Sequence, residues 1–196
     1  MTTQTSVVTP ERFETGYKSF AEWMAAIPEH QTEFQGHYDA FTPDAGDIAA
    51  VKALVEKHGV KAFCIGEHWC PDVWRGLPVF AKVAEGTGIT ARYFERDENK
   101  DIMSEFLKDG EFESIPAMVF YDGNHRYLFH WIERPQLAMD DMARLRAEIL
   151  APAPTEDGPE RQAAQAAYRA ATATHAPQWR HATLTEWRAL LEKTLA

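Results

Sequence analysis

Residues 60–66 form a nearly continuous apolar run with a glycine at each border, Gly59 and Gly66. A run this short and this apolar suits a strand covered on both faces, because neither side of it can face water. It is read as the central strand of a sheet. After the Glu67-His68-Trp69 turn, Val73, Leu77, Phe80 and Ala84 recur at helical spacing until Gly86-Thr87-Gly88 stops them. Residues 89–95 read as a second strand, so strand, helix and strand make a right-handed parallel crossover. Residues 99–108 predict a helix with Ile102 and Phe106 inward. Residues 117–121 and 126–131 predict two strands joined through Asp122-Gly123-Asn124, a hairpin turn that makes this pair antiparallel. A closing helix follows Pro135, with Ala138, Met142, Leu145 and Ile149 on one face.

The flanks read as helical. Thr9-Pro10 is an N-cap followed by proline, and Phe13, Tyr17, Phe20, Met24 and Ile27 continue at steps of three and four until Pro28 ends the helix. A second amphipathic stretch carries Phe34, Tyr38 and Phe41. A third, opened near Thr42-Pro43, carries Ile48, Val51, Leu54 and Val55 and is closed by His58-Gly59. Residues 151–160 hold three prolines and a glycine and read as a linker. Beyond it lies an alanine-rich stretch, then Thr183-x-x-Glu186 as a capping box ahead of a Leu184, Trp187, Leu191, Leu195 stripe. That stripe is expected to pack back onto the parent domain rather than form a dimer contact, so a monomer is favoured over a dimer. The expected division is an N-terminal helical segment at 1–42, an α/β domain at 43–150, and a linker with a helical tail at 151–196.

Charge and composition limit the functions open to the chain. Thirty acidic residues against 20 basic ones give a net charge of −10, which argues against a nucleic-acid backbone or an anionic membrane as partner. No stretch of about 18 apolar residues is present, and residues 1–9 lack a basic-then-apolar targeting pattern, so a cytoplasmic protein is expected. Two cysteines, Cys64 and Cys70, are too few for a disulfide scaffold and fit a reducing compartment. No metal is expected: His68, Cys70 and Asp72 have no second pair at zinc spacing, and His125 and His130 read as surface residues. A phosphate loop and a dinucleotide fingerprint are both missing.

Several features occur together around the central strand. Trp69-Cys70 follows it directly, Pro71 comes next, Pro78 stands eight residues after the cysteine, and Ser114-Ile115-Pro116 opens the third strand. Arg96-Asp97-Glu98-Asn99 ends the second strand, and an aromatic-x-x-Arg-Pro run, Trp131 to Pro135, follows the hairpin. Together they resemble bacterial thioredoxin-family proteins with a Trp-Cys-x-Asp turn, over about residues 43–150. The resemblance implies a thioredoxin-like α/β fold, a cysteine at a helix N-terminus kinked by Pro78, and a cis-proline at Pro116 facing that cysteine. It also implies a substrate groove built from Trp69, Pro71, Ile115 and Pro116. One departure matters most: the second cysteine of a thioredoxin, three residues after the first, is here Val73.

A dithiol enzyme attacks a disulfide with one thiolate and releases the mixed disulfide with the other, so Cys70 alone performs only the first half. An external thiol, glutathione or a protein thiol, must finish the cycle; no bound cofactor is expected. Partners are therefore protein or small-molecule thiols and disulfides. A helix N-terminus favours the thiolate, so a lowered Cys70 pKa is expected, helped by Arg75 and His68 and opposed by Asp72. Cys64 replaces the buried acid of thioredoxins and is read as a core thiol, not a resolving one. Trp69, Trp74, Ile115 and Trp131 are expected to form an apolar collar, with Trp74 and Trp131 as candidates for the core. Arg134 is placed near the thiolate or at the surface. The leading function is a single-cysteine oxidoreductase or redox-linked protein. The alternatives are a non-enzymatic peptide-binding module on the same fold and a glutathione-transferase-like enzyme; the short C-terminal tail disfavours the latter.

Overall fold

A computed structural model describes residues 6–196; residues 1–5 of the expected N-terminal segment lie outside the described residues. Four strands, β1 (Lys61–Gly66), β2 (Thr90–Glu95), β3 (Ala117–Tyr121) and β4 (Tyr127–Ile132), form one sheet in the order β2-β1-β3-β4. β1 runs parallel to β2 and antiparallel to β3, and β3 is antiparallel to β4. This is the thioredoxin-like α/β arrangement expected from the sequence. Five of the six β1 residues are buried, as a strand with neighbours on both edges and helices on both faces requires.

Side chains alternate between the two faces of the sheet. On one face Phe63 packs edge-on to Phe13, Phe94 and Phe106 and stacks with Tyr121. On the other, Tyr93, Phe120 and Trp131 meet Phe80 and Trp187. Phe80 comes from α5 (Pro71–Thr87), the crossover helix between β1 and β2. Trp187 comes from α8 (Pro159–Leu195). The 37 residues of α8 span about 55 Å at 1.5 Å per residue. Its Leu184, Trp187, Leu191 and Leu195 are all buried, so the C-terminal stripe packs onto its own domain.

Several elements depart from the sequence expectations for long-range reasons. The single helix expected over 10–27 is two short ones, α1 (Pro10–Phe13) and α2 (Phe20–Ala26). Between them Tyr17 forms a β-bridge with Tyr93, donating to its carbonyl at 2.9 Å and accepting from its amide at 3.0 Å. The bridge occupies the outer edge of β2, which would otherwise stand open. Gly16 permits the approach: a Cβ there would lie 2.8 Å from the Phe94 ring. Next come α3 (Gln31–Asp39) and α4 (Ala45–His58), the latter capped by Asp44 and closed by Gly59 at φ +66°. Gly86 lies inside α5, and Gly88, at φ +79°, ends it.

The helix expected over 99–108 is the single turn α6 (Lys100–Met103), and α7 (Gln136–Leu145) continues into a π-helical turn at Arg146–Leu150. Thr183 does not cap a helix. It lies within α8, where its hydroxyl donates to the Trp179 carbonyl at 2.9 Å. Glu186 instead accepts from Trp131 Nε1 at 2.8 Å and from the Gln136 amide at 2.7 Å, tying α8 to β4 and to the start of α7.

Trp187 is 1% exposed and touches three aromatic rings of the core, so Trp187→Ala is expected to lower the unfolding free energy by about 3–5 kcal/mol. Denaturant titration reads this; a loss below about 1 kcal/mol would mean that α8 is not a structural part of the sheet's cover.

Candidate functional site

Residues 67–70 carry the chain from the end of β1 to the start of α5. Cys70 is the N-cap of that helix, with an extended backbone at φ −90° and ψ 119°, and Pro71 holds the first helical position, where no N–H is needed. The Ile115–Pro116 peptide bond is cis, and the half-buried Cys70 thiol donates to the Ile115 carbonyl at 3.8 Å. Thiol, helix start and proline loop thus meet at one point.

Two glycines allow this convergence. A Cβ on Gly76, one turn and a half into α5, would stand 2.9 Å from Pro116 Cγ, so only glycine lets the helix lie directly against the proline ring. At the end of β1, a Cβ on Gly66 would meet Val73 Cγ1 at 2.8 Å. Val73, fully buried, is therefore packed against the strand end at the position of the missing second thiol. Neither contact is marked in the sequence beyond the glycines themselves.

The electrostatics of Cys70 differ from the sequence expectation. Burial pushes its thiol up, against the pull of the Val73 and Asp72 amides and the Arg134 charge, and the Asp72 carboxylate adds to the rise. The expected depression is overturned because desolvation of the half-buried sulfur outweighs the helix N-terminus. The favourable charge comes from Arg134. Arg75 is engaged with Asp72 at 3.5 Å, and the His68 ring faces His30 with centroids 5.9 Å apart. Arg134 is not a surface residue: it is half-buried and donates through Nη2 to Asp72. The aromatic-x-x-Arg-Pro run thereby pins the hairpin's exit to the first turn of α5.

Only part of the expected collar is on the surface. Trp69 is 46% exposed, with the Arg96 guanidinium 5.1 Å from its ring centre. Ile115 and Trp131 are buried; Trp131 is covered by α8 and packs on Trp187. Trp74 is half-buried, with Nε1 donating to the His68 carbonyl and its ring 4.6 Å from that of His30. His30, left-handed at φ +71° before α3, thus flanks the turn from 40 residues upstream, and no local pattern announces it. The 96–99 run closes the other side: the Arg96 amide donates to the Gly66 carbonyl at 2.9 Å, and the Asp97 amide donates to Glu67 at 2.7 Å. Burial raises the Glu67 pKa, and the hydrogen bond from the Asp97 amide partly offsets the rise.

Cys64 is fully buried in β1, where burial drives its thiol far above the ordinary range. His125 does not lie free on the surface: its Nε2 is 2.7 Å from the Val8 carbonyl and its ring stacks on Tyr121. His130 is half-buried, with Nδ1 2.7 Å from the Tyr127 hydroxyl. Among the described residues, no three His, Cys, Asp or Glu side chains are grouped to hold a metal ion, and no helix is long and apolar enough to cross a membrane.

Comparison with known proteins gives the same frame. The family model described as "Thioredoxin" matches residues 17–148. Two solved structures resemble the whole chain. An HIV epitope scaffold is 18% identical with a TM-score of 0.63, covering 96% of this chain and 99% of its own. A Pseudomonas aeruginosa protein described as of unknown function is 20% identical with a TM-score of 0.57, covering 97% and 99%. At such identities these two show the fold alone. No curated protein matches.

The charges on Asp72 and Arg134 act on Cys70 with opposite signs. Asp72→Asn is expected to move the midpoint of Cys70 alkylation to lower pH, and Arg134→Met to move it higher. Alkylation rate against pH in a Cys64→Ala background measures both, and equal midpoints in all three proteins would show that neither charge reaches the sulfur.

Proposed function

We propose that this chain, which belongs to the thioredoxin family, forms one mixed disulfide at a time through Cys70 and relies on an external thiol to release it. The observation that carries this reading is the Cys70 sulfur at the start of α5, 3.8 Å from the Ile115 carbonyl, with Val73 buried where a second thiol would resolve the adduct. The Cys70 thiolate attacks one sulfur of a partner disulfide. A new S–S bond forms, the partner's S–S bond breaks, and its other sulfur leaves with the electron pair and takes up a proton. A small thiol such as glutathione then attacks the partner sulfur in the adduct, and Cys70 leaves as the thiolate. Cys64, enclosed in the sheet, takes no part.

An extended segment would approach the sulfur along Trp69 and Pro71, both exposed, while Ile115 and Pro116 are buried and would support the site from beneath. Both cysteines are unpaired, which supports a reducing, cytoplasmic setting. The upward shift of the Cys70 thiol favours a second reading, a peptide-binding module that uses the same groove without exchange chemistry.

Intact mass after incubation with oxidised glutathione separates the two. A single glutathione adduct is expected in wild type and in Cys64→Ala and none in Cys70→Ser. Insulin-disulfide reduction should stay far below that of a dithiol thioredoxin. No adduct in wild type, even on prolonged incubation above the midpoint of Cys70 alkylation, would leave the binding module as the function.

A further inference from the structure

The sheet guards its two edges differently. The outer side of β2 is taken by the Tyr17 bridge to Tyr93, whereas β4, at the opposite edge, is covered by no strand or bridge among the described residues. The register tells which backbone groups of β4 face outward. The Glu133 amide donates to the Pro116 carbonyl at 2.8 Å, and the pairing from Phe129 to Ile132 is regular, so Trp131 and Phe129 turn their backbone groups to β3. The amides of His130 and Ile132 and the His130 carbonyl therefore point away from the sheet. Beside them, the Ile132 carbonyl accepts from the Arg134 amide at 2.9 Å. Proteins usually blunt such an edge with charge, proline or a bulge. β4 reads Tyr-Leu-Phe-His-Trp-Ile, without a Lys, Arg, Asp, Glu or Pro, and its register shift lies at the far end, opposite Phe120 and Tyr121.

This edge is also accessible. It forms the floor of a groove of about 570 Å3, inside the range of roughly 300–1,000 Å3 usual for ligand clefts. One wall is apolar, made by Ala189 and Leu190 of α8 with the exposed Met139 of α7; the other is Leu107, Lys108 and Asp109. Lys108 is paired with Glu133 and Arg134 with Asp72, but the lining carboxylates of Asp109 and Glu186 meet no cation among the described residues. The uncompensated charge of the groove is therefore negative.

We propose that β4 receives an extended segment of a partner polypeptide as a further strand, with apolar side chains turned to α8 alternating with basic ones turned to Asp109. Main-chain hydrogen bonds to His130 and Ile132 supply the affinity, and the two walls select the alternation. A lone segment fits where a second copy does not, since a copy would bring its own α8 and 107–109 walls against these. Binding at this edge needs no thiol exchange at Cys70, so the two readings fail separately.

Three blocked hexapeptides at fixed ionic strength are the probes on the full chain, read by isothermal titration: Lys-Val-Lys-Val-Lys-Val, its Glu-Val counterpart, and the lysine peptide N-methylated at every amide. The lysine peptide is expected to bind saturably at one site, and the other two about tenfold more weakly or worse. His130→Pro removes an amide that β3 does not use, so it should keep a cooperative unfolding transition while weakening the lysine peptide about tenfold. Asp109→Lys should narrow the gap between the lysine and glutamate peptides, and Cys70→Ser should bind as wild type. Should His130→Pro fail to fold, Asp109→Lys and the N-methylated peptide decide. Absent binding, equal binding of all three peptides, or a dimer in sedimentation that His130→Pro dissociates would overturn the proposal.

Discussion

The start of α5 is pressed against two other segments at once, against Gly66 through Val73 and against Pro116 through Gly76. Because protein interiors are close-packed, a single added methyl at either glycine would push the helix off the sheet or off the proline loop. The placement of Cys70 follows from these contacts. The thiol sits at the N-cap because β1 ends at Gly66, and it faces Ile115 because α5 touches Pro116. The remaining architecture holds that junction in place: β3 pairs with β1 to bring the proline loop alongside, and α8 covers the face on which α5 lies.

Polar links then fix the junction laterally. Arg134 reaches from beyond the hairpin to Asp72 in the first turn of α5, while Glu67 takes the Asp97 amide at the end of β2. These bonds connect the ends of β2 and β4 on this side of the sheet to the Cys70 turn and the first turn of α5. They also set the chemistry, since burial of the sulfur raises its pKa while the nearby guanidinium pulls it back. A thiol raised in this way is less often ionised at neutral pH than one on an open helix N-terminus.

Much of this was legible in the sequence where the determinants are local. The apolar run bordered by glycines is β1, the Asp122-Gly123-Asn124 turn joins β3 to β4, and the Trp69-Cys70-Pro71 run opens α5. What escaped depends on distant partners. The helix expected over 10–27 is broken by backbone bonds from Tyr17 to Tyr93, which no periodicity of residues 10–27 encodes. Thr183 and Glu186 have the spacing of a capping box, yet the helix runs through them because Glu186 is used by Trp131 and the Gln136 amide. The burial of Ile115, the half-burial of Arg134 and the raised Cys70 thiol are likewise tertiary effects, set by the enclosure of the turn, whereas the burial of Trp131 was among the sequence expectations.

One thiol, Cys70, stands at a thioredoxin-like helix start, with the buried Val73 at the position of a resolving cysteine. The most direct test is an intact-mass time course of the Cys70–glutathione adduct in Val73→Cys, prepared with Cys64→Ala, after removal of free glutathione. Residues 70 and 73 lie one helical turn apart at the helix start, and the Val73 amide already donates to the Cys70 carbonyl at 3.0 Å. The variant is predicted to expel glutathione and leave an internal disulfide, while the parent with Val73 retains its adduct. Equal retention of the adduct in both proteins would contradict the account.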